Sequence, residues 1–307
     1  EHLGIGVSVG GAMDAPALTM ANWMVGNDEG AAGIEVGIFP FRIRFHRDTR
    51  FACTGAPTTV TLPQRSLPSW WTAQARAGDV LVVAAPAHGA RAYLAFAGGI
   101  DVPPVLGSRA TDLKTGFGGH QGRGLRKGDR LALGDAAAGH DSAAPPFGVL
   151  SESRVKFARE LASGIATIRA IAAAEYEAFT REAGTAFVRN AYRLTPDCNR
   201  QGYRLEGAPL KTKRPLELLS HGLVPGTIQV PPSGQPIIQL AEANTCGGYP
   251  KIATVIEADL WRLAQLRPGQ GIRFQLVGHE ESVAALRELL DEQARIRQGV
   301  QARAARV

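Results

Sequence analysis

Cysteine is scarce in this chain of 307 residues. Cys53, Cys198 and Cys246 lie far apart, are odd in number and form no CxxC pair. We therefore expect neither a disulfide framework nor a zinc site, and the cysteine usage fits a reducing cytoplasm. No apolar run approaches the ~20 residues that a membrane-spanning helix needs. No signal peptide is recognised either, so a cytoplasmic protein with no membrane partner is expected.

Several catalytic and nucleotide-binding motifs are also missing. There is no GxSxG segment, and the seven histidines are scattered without metal-ligand spacing. The glycine-rich stretch TDLKTGFGGHQGRGLRKGDRL, residues 111–131, comes nearest to a phosphate loop. Gly124 is followed there by Leu125 where a Walker loop needs lysine, and Gln121 stands where a dinucleotide fingerprint needs its third glycine. We expect no cofactor or metal to be bound through a recognisable motif of this chain.

Glycine and proline are abundant instead, with 36 and 19 residues in a chain that is 45% hydrophobic. Frequent turns favour short strands, so a mainly β fold with a few helices is predicted. The net charge of +6 does not indicate nucleic-acid binding, because the basic residues form no stripe with interleaved aromatics. In FRIRFHR, Phe41, Ile43 and Phe45 alternate with basic residues, as in a half-buried strand.

Two domains are predicted. Residues 1–140 read as a β-rich domain, and a polar, proline-containing linker at 134–153 leads into a second domain over residues 141–307. The segments ARAGDVLVV, LRKGDRLAL and LRPGQGIRF share a tight glycine turn that feeds an alternating strand. They indicate two related barrel-like halves, or a coincidence of common turn chemistry.

A few helices are predicted as well. DAPALTMANWMVGN combines Asp14 as a cap, Pro16 in the first turn and apolar residues on one face. The tail from Glu280 onward has its acidic residues first and its arginines last, as the helix dipole favours. The alanine-rich stretch ARELASGIATIRAIAAAEYEAF is helical by propensity alone.

Candidate chemistry concentrates in the glycine-rich stretch 111–131. Its glycines can turn backbone N–H groups toward an anion. Asp112, His120 and Arg123 supply an acid or base, a group that titrates near neutrality and an anion clamp. The same composition fits a solvated connector between strands, and the residues alone leave both interpretations open.

Two further stretches place polar groups beside glycines. In NTCGGYPKIATVIEADL, Lys251 follows Tyr249 at a loop-to-strand junction, where a lysine either holds an anionic substrate or is simply exposed. Cys246 has no histidine near it in sequence, so a thiol nucleophile is not favoured. In NRQGYRLEG, Arg204 and Glu206 share one strand face and form either a surface pair or a substrate clamp.

The chain resembles one family through six motifs, which are GGAMD, LGSRATDL, GFGGHQGRGLRKGDRL, GYRLEG, VPGTIQVPPSGQPIIQLAE and GGYPKIATVIEADLWRLAQLRPG. This is the biotin-dependent carboxyltransferase family, also called allophanate hydrolase subunit 2. It includes the C subunit of 5-oxoprolinase, the Kip-type antagonist of a sporulation kinase inhibitor and part of the carboxyltransferase domain of urea carboxylase. The resemblance runs from about residue 3 to about residue 278.

The resemblance implies two cyclophilin-like β-barrel domains in tandem. It implies part of a hydrolase that acts on the C–N bond of a small amide or lactam, or a biotin-dependent carboxyltransferase, active only with partner subunits. The two reactions are ATP-dependent opening of 5-oxoproline to glutamate, and urea or allophanate chemistry. ATP or carboxybiotin would reach the site through those partners, which are a B subunit or Kip-inhibitor-type protein, and an A subunit of the lamB/YcsF type. The alternative is a non-catalytic regulatory protein that binds and antagonises a Kip-inhibitor-like partner.

Site residues follow from the resemblance by motif. The expected catalytic residues are Asp112 and His120, and the expected substrate-binding residues are Arg123, Arg204, Glu206, Gln239, Tyr249 and Lys251. Arg123 and Lys251 would bind a carboxylate, phosphate or carboxybiotin oxygen, and Asp112 or His120 would transfer protons. Members of the family open with a strand and a TTVQDLGRPG-like segment before GGAMD, so the first domain is expected to start upstream of residue 1.

Overall fold

The computed structural model describes residues 2–136, 145–216 and 218–304, and the chain forms two compact units. The N-terminal unit comprises Asp14–Ala158 and Leu290–Val307, and the C-terminal unit comprises Glu1–Met13 and Arg159–Leu289. The predicted domain boundary between residues 140 and 141 lies outside the described residues and stays a prediction.

Antiparallel sheets dominate the N-terminal unit. Its strands are β1 (Ile34–Val36), β2 (Phe41–Arg44), β3 (Thr49–Gly55), β4 (Thr59–Leu62), β5 (Arg65–Pro68), β6 (Trp71–Ala75), β7 (Val80–Val83), β8 (Ala92–Phe96) and β9 (Phe147–Gly148). Helix α1 (Ala15–Met24) precedes them and α2 (Glu152–Ala162) follows them in sequence. One sheet has the order β1–β8–β3–β6–β9 and the other β2–β7–β4–β5. Side chains from both sheets build one apolar core.

Strand β3 is buried along its whole length. Phe51 and Cys53 belong to the core that the two sheets share, whereas Ala52 belongs to a second apolar cluster with Met20 of α1. Successive residues of a strand point to opposite faces, so β3 has the core on one side and the helix on the other. Burial raises the pKa of the Cys53 thiol to about 12, which makes this thiol inert.

Helix α1 begins as the sequence predicts. The Asp14 carboxylate accepts a hydrogen bond from the Ala17 N–H at 3.1 Å, and proline stands in the first turn. The same carboxylate forms a bidentate ion pair with Arg154, and both side chains are buried. The backbone N–H of Asp14 donates to the Tyr93 hydroxyl on β8 at 2.8 Å. A helix cap and a buried ion pair thus share one carboxylate.

A closed barrel forms the centre of the C-terminal unit. The strands of this unit are β10 (Ile165–Ala172), β11 (Ala191–Leu194), β12 (Gly202–Glu206), β13 (His221–Gly222), β14 (Thr227–Gln229), β15 (Ile237–Gln239), β16 (Cys246–Gly247), β17 (Lys251–Val255) and β18 (Gly271–Leu276). Seven of them close in the order β10–β17–β14–β15–β12–β11–β18, with β10 parallel to β18 and the other pairs antiparallel. Strands β13 and β16 form a separate ribbon.

Three α-helices follow α2 in the described part of the chain. They are α3 (Arg181–Arg189), α4 (Leu260–Leu263) and α5 (His279–Ala304), which confirms the helix predicted from Glu280 onward. Helix α3 places Phe187 in the core, where its ring stacks on Phe274 of β18 with centroids 4.5 Å apart. Tyr192 of β11 completes this fully buried aromatic group.

The alanine-rich stretch is not one helix, so the prediction from propensity is wrong there. Helix α2 ends at Ala162, Gly164 turns the chain with φ of +84°, and β10 follows over Ile165–Ala172. Its buried residues alternate with exposed ones, and isoleucine and threonine suit that pleated surface. Packing inside the barrel therefore outweighs the helix preference of alanine.

The turn in LRKGDRLAL is present, but the strand predicted after it is not. Only an isolated bridge from Leu133 to Ile100 occurs in the described part of this segment. The carbonyl groups of Leu133 and Gly134 accept hydrogen bonds from the Arg47 guanidinium instead of from a neighbouring strand. The mainly β fold class is nevertheless confirmed, and no helix in the described ranges is long and apolar enough to span a bilayer.

Candidate functional site

The predicted site residues fall into both units. Asp112, His120 and Arg123 lie in the N-terminal unit, and Arg204, Glu206, Gln239, Tyr249 and Lys251 lie in the C-terminal unit. Their assignment to catalysis and substrate binding stays a prediction.

The glycine-rich loop, residues 111–124, follows a tight path that demands glycine. Gly119 and Gly122 have φ of +50° and +66°. A Cβ atom on Gly119 would lie 1.9 Å from the Thr111 hydroxyl oxygen, and one on Gly122 would lie 2.0 Å from the Gly116 carbonyl oxygen. These two glycines are therefore required by the loop itself, whatever the loop binds.

Asp112 and Arg123 stabilise this loop. One Asp112 oxygen accepts hydrogen bonds from the backbone N–H groups two and three residues ahead, at 2.9 and 3.0 Å. Arg123 pairs bidentately with Asp129, with both N–O distances 2.8 Å, and His120 Nε2 lies 3.8 Å from the same carboxylate. The Arg123 guanidinium holds the pKa of Asp129 well below its usual range. All three candidates thus have partners within the loop or just beyond it.

Lys251, His221 and Glu175 form a compact group, which we call the lysine cluster. Lys251 Nζ lies 2.5 Å from His221 Nε2. The Lys251 backbone N–H donates to Glu175 Oε2 at 3.2 Å, and Glu175 Oε1 is 3.9 Å from His221 Nε2. Desolvation lowers the pKa of Lys251, while the Glu175 carboxylate opposes that shift. Lys251 is buried, whereas the His221 side chain is 45% exposed and opens the cluster to solvent.

Strand pairing explains why these side chains meet. Lys251 opens β17 and pairs with Gln229 of β14 next to a bulge in β17, so the two residues share one sheet face. His221 pairs with Gly247 in the β13–β16 ribbon. A Cβ atom on Gly247 would lie 2.8 Å from Gln229 Nε2, so glycine there lets the ribbon approach the barrel closely.

Two glutamine amides lie on the same face as Lys251. Gln239 Nε2 donates to Gln229 Oε1 at 2.9 Å, and Gln229 Nε2 donates to the Tyr249 carbonyl oxygen at 3.5 Å. Ile228 and Ile238, one position away, are fully buried, so the amides face away from the barrel core. The structure thereby brings together three candidates predicted from separate segments, namely Gln239, Tyr249 and Lys251.

Arg204 and Glu206 occupy alternate, exposed positions on β12. Arg204 pairs with Ile237 of β15, which puts it on the same outward face as Gln239. Glu206 pairs with Arg193 of β11, farther along this face. These two residues share the strand face predicted from their spacing, and two strands, β14 and β15, separate β12 from Lys251 on β17.

Four contributors were not predicted from sequence, namely Glu175, His221, Gln229 and Asp129. Glu175 and His221 lie 76 and 30 residues from Lys251, so only the folded barrel shows their proximity. The pairing of Asp129 with Arg123 could have been predicted from the sequence, because these two oppositely charged residues flank a glycine-containing turn six residues apart.

The lysine cluster is suited to binding an anion and transferring a proton. A lysine in hydrogen-bond contact with an imidazole can hold an anionic oxygen, and the imidazole can act as a general acid or base. Neighbouring amides offer both donors and acceptors to a small amide substrate. No group of three or more metal-ligating histidine, cysteine or acidic side chains occurs within the described ranges.

A family model described as the carboxyltransferase domain, subdomain A and B, matches residues 5–276. The chain belongs to this family. Within it, the Escherichia coli protein named as the C subunit of 5-oxoprolinase is 44% identical over 280 residues, which cover 91% of this chain and 86% of that protein. The family predicted from the six motifs is therefore confirmed.

Two solved structures share this fold. The crystal structure of TTHA0988 has a TM-score of 0.76 at 30% identity, covering 89% of this chain and 51% of that chain. The Kluyveromyces lactis urea amidolyase has a TM-score of 0.82 at 25% identity, covering 96% of this chain and 18% of that chain. The chain thus spans about half of the first protein and less than a fifth of the second. The cyclophilin-like fold is confirmed, and the enzyme relatives support an enzyme-related role.

Proposed function

We propose that this chain is one component of a 5-oxoprolinase-type enzyme, which opens the lactam of 5-oxoproline to glutamate with ATP and partner subunits. The observation that carries this proposal is the 44% identity to the C subunit of Escherichia coli 5-oxoprolinase over 86% of that protein. The urea amidolyase of Kluyveromyces lactis is 25% identical, and this chain covers 18% of it. We infer that the partners are the B subunit of this complex, together with an A subunit of the lamB/YcsF type.

The chemistry of the lysine cluster supports this substrate. 5-Oxoproline carries a carboxylate beside a lactam amide, and Lys251 beside Gln229 and Gln239 offers a cation and two amides. Urea presents an amide without a carboxylate, so the buried lysine matches the lactam acid better. Breaking the lactam C–N bond places a hydroxyl group on carbon and a proton on nitrogen. His221, in contact with Lys251, is the group we assign to that proton transfer.

Carboxyl transfer is the second candidate, and the description of the matched family favours it. In that reaction the anion held by Lys251 would be the carboxylate of carboxybiotin, and the amides would hold urea. Both reactions would use the lysine cluster, so a substitution at Lys251 would impair either one. The two candidates are distinguished by which substrate the wild-type complex consumes.

Removing the Lys251 ammonium group tests the site. We expect Lys251→Ala to lower kcat/KM for 5-oxoproline by about a hundredfold or more in the complex reconstituted with the proposed A and B subunits. The loss follows because the substrate carboxylate would meet a desolvated pocket without its cation. The measurement is ATP-dependent disappearance of 5-oxoproline, with size-exclusion chromatography to show that the complex still assembles.

Lys211→Ala is the matched control, because Lys211 is an exposed lysine of the same unit, and it should leave the rate unchanged. Full activity of Lys251→Ala would reject the lysine cluster as the site. A wild-type complex that carboxylates urea and spares 5-oxoproline would favour the second candidate. Binding to a Kip-inhibitor-like partner with neither reaction would favour the regulatory alternative.

A further inference from the structure

The four-stranded sheet of the N-terminal unit turns one face to the core and the other to solvent. Along β4 and β7, buried residues alternate with exposed or partly exposed ones. Arg42 and Arg44 alternate in the same way on β2, where they pair with Val82 and Val80 of β7. We call this solvent side the outer face, and its residues are Arg42, Arg44, Thr59, Thr61, Val80 and Val82.

The outer face is positively charged. None of the strands β2, β4, β5 and β7 contains an acidic residue. Between residues 36 and 134 the sequence has thirteen lysines and arginines, five aspartates and no glutamate. The Asp48 and Asp79 carboxylates lie outside these strands and accept hydrogen bonds from the backbone N–H groups of Ala77 and Arg76. The outer face itself carries two arginines and no acidic residue.

We propose that the outer face is a docking surface for an acidic face of a second protein. Arg42 and Arg44 lie about 7 Å apart along the strand, a spacing that matches two carboxylates one turn apart on a helix or two residues apart on a strand. Guanidinium groups bind carboxylates bidentately, and the β-branched side chains of Thr59, Thr61, Val80 and Val82 lie on the neighbouring strands of the same face. Opposite charges also speed the encounter of two such surfaces.

The charge pattern decides between possible occupants. A second copy of this chain would set arginine against arginine on strands without acids, which is repulsive. A nucleic acid would be favoured by aromatic side chains on which bases stack, and the six residues of the outer face include none. An acidic protein surface matches the charge. The identification of the acidic partner as the B subunit of the enzyme rests on the proposed function.

Charge reversal on β2 tests the docking surface. We expect Arg42→Glu/Arg44→Glu to raise the Kd for the B subunit roughly tenfold or more at low salt. The difference should shrink at high salt, because ions screen exposed charges. Arg42→Gln/Arg44→Gln, which removes charge without reversing it, should give a smaller rise. The measurement is calorimetric titration of the whole chain with its partner, after circular dichroism has shown that each variant is folded.

Arg193→Glu/Arg273→Glu is the matched control, since these arginines are exposed on barrel strands β11 and β18 and the charge change is equal. Its Kd should equal that of the wild type. Equal Kd values for both double variants would overturn the proposal, as would a wild type that binds duplex DNA through the same two arginines. A complex that assembles through the outer face without consuming 5-oxoproline would contradict only the proposed function.

Discussion

Lys251 is a charged residue that the fold keeps out of water. The residue is 7% exposed, and its lowered pKa arises first from that burial, against the opposing effect of Glu175. The folded chain therefore holds the lysine proton less tightly than the unfolded chain does. A group with this property makes stability depend on pH, and it also provides an amine that can lose its proton near a substrate.

Stability should rise with pH because of Lys251. Between its lowered pKa and the ordinary lysine value of 10.5, the unfolded state binds more protons than the folded state, so unfolding becomes harder as pH increases. We expect the wild type to gain stability relative to Lys251→Met across this window. Urea unfolding of both proteins at a series of pH values measures the difference, and a difference that does not change with pH would contradict the assignment.

The Asp14–Arg154 ion pair tests how strongly burial increases the stability cost of breaking an ion pair. Arg154→Met leaves a fully buried carboxylate without its bidentate partner, and we expect a loss of about 3–5 kcal/mol in the free energy of unfolding. Arg297→Met removes a pair with Glu29 whose side chains are 50% and 54% exposed, and about 0–1 kcal/mol should be lost. Urea denaturation measures both, and equal losses would show that the burial of Asp14 does not matter.

Residues whose partners are local could be predicted from the sequence. Asp14 was recognised as a helix cap because its acceptor role involves the next turn of chain. The partners of Lys251 could not be recognised, because a ribbon and a barrel must form before Glu175 and His221 reach it. For the same reason, the interaction of Gln239 with Gln229 depends on strand order and not on spacing.

At the scale of elements, the glycine-rich loop is the most constrained segment. We expect Gly122→Ala to destabilise the N-terminal unit by about 1–3 kcal/mol, because a Cβ atom collides with the Gly116 carbonyl group and φ is positive. Gly124→Ala is the matched control, since nothing lies within 4 Å of a Cβ atom there, and it should be nearly neutral. Thermal unfolding compares them, and equal melting temperatures would contradict this loop path.

Elements whose apolar residues recur with a clear helical or strand period were predicted correctly. An element whose conformation depends on packing against distant strands was not. The alternation in FRIRFHR became strand β2, and the capped, one-sided pattern after Asp14 became helix α1. Strand β10 was mistaken for helix because alanine dominates its neighbourhood, while its buried partners lie about a hundred residues away in β18. Helix propensity depends only on the local sequence, whereas pairing with β17 and β18 in the barrel holds residues 165–172 in the strand conformation.

At the scale of the whole molecule, motif order identified the family over nearly the full chain, and with it the barrel fold. The division into units was harder to predict from the sequence, because the first thirteen residues belong to the C-terminal unit. There the Gly10 N–H donates to the Ala241 carbonyl oxygen at 2.8 Å, and the Arg200 guanidinium donates to the Gly11 carbonyl oxygen. The sequence of either segment alone does not indicate that the two distant segments are in contact.

The parallel pairing of β10 with β18 has a consequence for how the chain acquires its structure. This pair joins residues 165–170 to residues 271–276, so the barrel cannot close until almost all of its own sequence is available. Joining such distant segments has a high entropic cost before any contact compensates for it. The C-terminal unit should therefore fold late and in one step. Until β18 arrives, β10 would present an unpaired edge to other newly made chains.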